Sequence, residues 1–176
     1  MSAGEQRIAD LAVLRSHYLR TGQTDRAALC DWIIADTYAS MDEFDRAERY
    51  FAEAAPAVAD YDRPGVQWNR AMRLLDHAAE ESERRSELIA LALDVAVASY
   101  IATDYERFQV TDPELRRLWE KRADHRLALV MTMAFDLKRP ELVAELIESG
   151  INAGIHSTEV TPSSNRHEMA EPGTGT

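Results

Sequence analysis

Residues 28–54 read ALCDWIIADTYASMDEFDRAERYFAEA, and this stretch decides the fold. Its first half carries Ala28, Leu29, Trp32, Ile33, Ala35 and Tyr38 at helical spacing. The set is too broad for one narrow stripe, which predicts a helix packed on two sides. Phe44, Ala47, Phe51, Ala54 and Val58 form a second helical stripe, to about Asp60. Between them, Asp42–Asp45 is a short turn that places Asp42 or Glu43 at the next helix's N-terminus, where the dipole favours negative charge. Small Ala35 and Ala47 let the two helices cross closely, and Tyr38 and Phe51 fill the space between. Pro56 lacks a backbone donor and is expected to bend or shorten the second of them.

Working outward, the same periodicity continues on both sides. A helix over about Ala3–Arg20 ends at Thr21-Gly22, a left-handed terminator. Beyond the breaker Tyr61–Gly65 a helix spans about Val66–Ala79. Ser86–Thr103 is apolar all round, through Ile89, Leu91, Leu93, Val95, Val97 and Ile101, and is predicted to be the buried centre. Tyr105–Val110 reads as a connector. Thr111-Asp112-Pro113-Glu114 is a capping signal, Thr111 accepting from the backbone and Glu114 reaching back. It opens a helix to about Leu137 that is charged in its first half and apolar in its second. Met131, Met133 and Phe135 are expected as core filler. A last helix, Glu141–Ser149, is expected to stop at Gly150. Residues 157–176, rich in Ser, Thr, Pro, Glu and Gly, read as a disordered tail behind a single helical domain of residues 1–156. No run alternates long enough for a strand. The expectation is an all-α array or bundle of about seven helices, built of antiparallel hairpins.

Twenty Lys and Arg stand against 31 Asp and Glu, a net charge of −11. That balance excludes a basic nucleic-acid face and disfavours anionic membrane surfaces. The most apolar segment, residues 88–102, is broken by Asp94 and falls short of the ~20 apolar residues of a membrane span. Cys30 is the only cysteine, so neither a disulfide nor a cysteine zinc site can form, a usage that suits a reducing cytoplasm.

Ile34-Ala35, Tyr38, Ala47, Phe51 and Ala54 fall in the order of the tetratricopeptide pattern, so residues 28–61 resemble one such repeat. Asp31 stands where that family has an aromatic, and Ala59 where it has a closing proline. A wider similarity takes in Arg-Phe-Gln-Val-Thr-Asp at 107–112, Leu-Arg-Arg-Leu-Trp at 115–119, Ala-Phe-Asp-Leu at 134–137 and Glu-Leu-Val-Ala-Glu-Leu-Ile-Glu at 141–148. This text resembles the helical region that precedes the peptidase domain in actinobacterial CHAT proteins. The resemblance implies a bacterial regulatory or sensing module, without the protease itself.

The chain offers no phosphate-binding glycine loop, no serine elbow and no HExxH zinc motif. Of five histidines, His77 has Glu80 and Glu81 at shared-face spacing; a His-Glu pair is two ligands, and no second pair at comparable spacing completes a di-metal bundle. The plainer reading is a solvated acidic helix end. Asp76-His77 and Asp124-His125 are adjacent and point about 100° apart on a helix, so neither is an aligned dyad. In the repeat phase, Leu29, Trp32 and Asp36 line a helical groove. An aromatic beside a carboxylate there suits a peptide with an apolar residue and a Lys or Arg. Trp32 has the alternative of packing under the first helix. The reading is thus a non-enzymatic interaction module for a protein or peptide with a basic surface, with no cofactor. A metal-binding bundle using His77, Glu80 and Glu81 is the alternative, and a homodimeric scaffold a third possibility.

Overall fold

The structure is a computed structural model that describes the backbone of residues 1–157 and the side chains of 1–151. The tail expected over 157–176 lies outside it, except that Ser157 is still helical. Among the described residues there are seven α-helices and no strand, as the periodicity predicts. They are α1 (Ala3–Arg20), α2 (Thr24–Ala39), α3 (Phe44–Ala57), α4 (Arg63–Glu80), α5 (Arg85–Gln109), α6 (Pro113–Asp136) and α7 (Pro140–Ser157). Each packs chiefly on the helices before and after it in the chain. The strongest packing between helices not consecutive in sequence is α2 against α4.

Short turns enforce this serial order. Three helix ends close in the same way, with a residue of positive φ that lets two backbone amides return to the last turn. At the end of α1, Gly22 (φ 72°) sits between Gly22 N–H···O Leu19 and Gln23 N–H···O Tyr18. After α2, Asp42 (φ 59°) takes that place, with Glu43 N donating to Tyr38 O at 3.0 Å. After α6, Lys138 (φ 54°) does so, with Arg139 N donating to Ala134 O at 2.9 Å. The α2–α3 and α6–α7 hairpins therefore share one turn geometry.

Two clusters make the core. Ala28, Ala35, Ala47, Phe51, Ala54, Val58 and Val66 join α2, α3 and the start of α4. Ala35 and Ala47 are sealed at the crossing and Phe51 fills it, as the quoted stretch predicts. The larger cluster joins α4 to α7 through Leu74, Leu88, Leu93, Ala96, Tyr100, Val130, Met133 and Leu146. At the amino end, α1 has no buried residue and is held on α2 in part by the ion pair of Arg15 with Asp31.

Several boundaries differ from those expected. Helix α3 stops at Ala57, one residue past Pro56, consistent with the missing donor. The breaker at 61–65 starts α4 from within, because Pro64 is tolerated in a first turn. The connector at 105–110 is helical to Gln109. The cap of α6 is Asp112 rather than Thr111; its side chain accepts from Glu114 N and Leu115 N, both at 2.9 Å. Gly150 does not end α7 but lies inside it, where a β-carbon would come 3.0 Å from Leu127 Cδ2.

Helix α5 is not buried all round. Leu91, Ile101, Tyr105 and Phe108 fall on one exposed stripe, while Leu88, Ala92, Ala96, Ser99 and Thr103 face the core. Its 25 residues reach a mean hydropathy of 1.5 in an 18-residue window, long and apolar enough by that measure to cross a membrane. It differs in this from the expectation of a segment too short. Phe135, expected in the core, is 75% exposed, whereas Met133 is buried.

Candidate partner-binding cleft

The α2 stripe leads to a cleft. Leu29 and Trp32 are half-buried against the smaller core cluster, and the Trp32 Nε1–H is buried without an acceptor. One turn on, Asp36 is tied across to α4, accepting from Arg73 Nη2 at 2.7 Å and Nε at 3.2 Å. The hydrogen bond to Asp36 raises the pKa of Arg73 above its ordinary value, outweighing the opposing effect of burial. Ala39, the next residue on the stripe, borders a cleft of about 670 Å³ formed by the end of α2, the α2–α3 turn and the last turns of α4.

That cleft is acidic with an aromatic wall. Asp42, Asp76, Glu80 and Glu81 line it, against a single guanidinium, Arg73, which is already engaged by Asp36 and lies 3.6 Å from Asp76. The wall is a stacked pair: the rings of Phe44 and His77 lie 3.8 Å apart at 14°. Asp42, Phe44, His77 and Glu81 also border a second cleft, of about 560 Å³, together with Arg46 and Arg84. Carboxylates around an aromatic face attract a Lys or Arg side chain.

Each predicted site residue has a definite place. None of Leu29, Trp32 and Asp36 lines the cleft; Leu29 and Trp32 pack on the smaller core cluster, and Asp36 reaches the cleft through Arg73, which does line it. His77, Glu80 and Glu81 do border one cleft. Even so, among the described residues no group of three or more His, Cys, Asp or Glu is placed to hold a metal ion. Cys30 is buried, and burial, with Asp31 beside it, pushes its thiol pKa up, away from a reactive thiolate.

No protein family, curated protein or solved structure matches this chain. The tetratricopeptide and CHAT resemblances therefore rest on the residues quoted for them.

Sequence reasoning missed the Phe44–His77 stack, because the two residues are 33 positions apart on different helices. It also missed a buried arginine on α6. The sign was there: Arg126 falls in register with Ala123, Val130, Met133 and Ala134, so a cation sits in an apolar stripe.

Proposed function

We propose that this chain is a non-enzymatic interaction module, an adaptor or regulatory subunit that receives a protein or peptide with a basic surface. The observation that carries this reading is the Phe44–His77 stack set among Asp42, Asp76, Glu80 and Glu81. A Lys or Arg of the partner enters beside the aromatic wall, and an apolar neighbour rests along Leu29 and Trp32. The net charge of −11 draws such a partner in and opposes acidic ones.

An array of synthetic peptides, each pairing Lys or Arg with an apolar residue, tests it. The best peptide should lose about tenfold in affinity to the Glu80→Lys/Glu81→Lys variant, and should weaken as salt is raised. Equal binding by wild type and variant, or preference for acidic peptides, would overturn the reading. Both positions are exposed, so the variant is expected to fold.

A further inference from the structure

Among the described residues, one buried cation has no anion beside it. Arg126 is only 9% exposed, in the middle of α6. Its Nη1 donates to Ser99 O at 3.3 Å, to Ser99 Oγ at 2.9 Å and to Thr103 Oγ1. The guanidinium lies over the Trp68 ring of α4, 5.1 Å from its centroid. Those neighbours are neutral. Among the described residues no carboxylate pairs with Arg126, although the chain has 31 acids. Burial, and repulsion from another cation, Arg122, one turn earlier on α6, pull its pKa down to about 10.

Half of the guanidinium is unused. Nε and Nη2 donate to no acceptor among the described residues. This edge is the fork that binds an oxyanion in two parallel hydrogen bonds. A second observation lies on the same face of α5. Arg107, one turn beyond Thr103, is 5% exposed; Asp104 lies 2.8 Å from its Nε, yet Nε and Nη2 make no hydrogen bond. Buried donors left open are uncommon in a native fold, and a bound ion is one of the standard reasons for them.

We propose that the free edge of Arg126, beside Trp68 of α4 and above Ser99 and Thr103 of α5, is a binding site for the carboxylate or phosphoryl group of a small ligand. Arg126 is the anchor. Ser99 and Thr103 hold its Nη1, Trp68 fixes its plane, and Arg122 adds attraction from the neighbouring turn. His125, whose ring meets the Trp68 edge at 5.9 Å, stands beside it. Along α4, Trp68 and His77 are nine residues apart, about 13 Å, so this site is distinct from the acidic cleft and of opposite sign.

The test uses the whole chain with sodium phosphate and sodium succinate as probes, against sodium chloride at matched ionic strength. The readouts are Tm and the Arg126 Nε–H resonance in a two-dimensional ¹⁵N spectrum. Either probe should raise Tm by about 2 °C or more and move that resonance. Phosphate alone acting identifies a phosphoryl ligand, and succinate alone a carboxylate. Arg126→Met should abolish the response, and Arg122→Gln, at an exposed position, should weaken apparent affinity a few-fold. The proposal is overturned if neither probe exceeds chloride, or if Arg126→Met responds as wild type does. Should Arg126→Met fail to fold, an unchanged response in both Arg126→Lys and Arg122→Gln overturns it equally. Peptide binding at the acidic cleft is read separately and does not bear on this outcome.

Discussion

Arg126 Nη1 donates to Ser99 Oγ at 2.9 Å, and that hydroxyl in turn donates to Pro64 O at 2.7 Å. One serine thereby joins three helices, α6, α5 and α4, at a point where it has no solvent exposure. Thr103 Oγ1 repeats the pattern one turn on, donating to Ser99 O at 2.7 Å while accepting from Arg126. The core of the larger cluster is therefore not purely apolar. Its helix spacing is set in part by a polar relay around a cation.

Ser99→Ala removes the relay's centre and leaves Arg126 with one acceptor fewer in a buried place. The expected loss is about 1–3 kcal/mol, because a buried group deprived of its partner keeps its desolvation cost. Urea unfolding measures it through the midpoint at constant slope. Ser16→Ala is the control: Ser16 Oγ donates to Ala12 O on an exposed helix face, and its loss should be near zero.

Arg15 and Asp31 respond unequally to their bond, Nε to Oδ1 at 2.6 Å. The bond raises the Arg15 pKa, as expected of a cation beside a carboxylate. Asp31 is nonetheless raised, because burial outweighs what Arg15 returns. The two directions disagree about the pair, and the carboxylate decides, since it is the buried partner at 8% side-chain exposure against 35%. Asp104 shifts the same way, burial first, offset by Arg107 and reinforced by Asp124. An acid raised on folding adds stability that is full below its unfolded pKa and is lost as pH rises through the folded value. Both acids should therefore make stability fall as pH rises through the weakly acidic range, and Asp31→Asn should flatten that fall. Arg15→Leu, which strands the carboxylate, should cost about 2 kcal/mol at neutral pH, less than a fully buried pair because Arg15 is one-third exposed.

Lys138 holds φ 54° after α6, a conformation that costs a residue with a β-carbon about 1 kcal/mol. Lys138→Gly should raise stability by about 0.5–1 kcal/mol, since the amide closures to Phe135 and Ala134 remain. Gly22→Ala, at φ 72° with open space around it, should lower it by a similar amount. Thermal unfolding of both variants checks the pair, and a fall in Tm for Lys138→Gly would count against the closure described here.

The hairpin of residues 28–54 was readable because its determinants are local: a 3.6-residue period, small residues at the crossing, a short polar turn. The apolar half of α6 was readable in Val130 and Met133 but not in Phe135, which the fold leaves exposed. Caps and ends were less so. The capping signal reads one residue early, at Thr111 instead of Asp112, and Gly150 reads as a stop although it lies inside α7 against Leu127.

The cleft and the buried cation lay beyond the text. Periodicity along one helix says which face turns inward, because a side chain's direction follows from its own backbone. It does not say what the neighbouring helix brings to meet that face. Phe44 meets His77, Asp36 meets Arg73, and Arg126 meets Trp68 and Ser99 only once α2 to α6 are stacked. The sequence by itself determined that this protein is a chain of amphipathic helices, their order and most of their inward faces. The tertiary structure alone decided which charges found partners, because pairing depends on distances between helices that no local periodicity encodes.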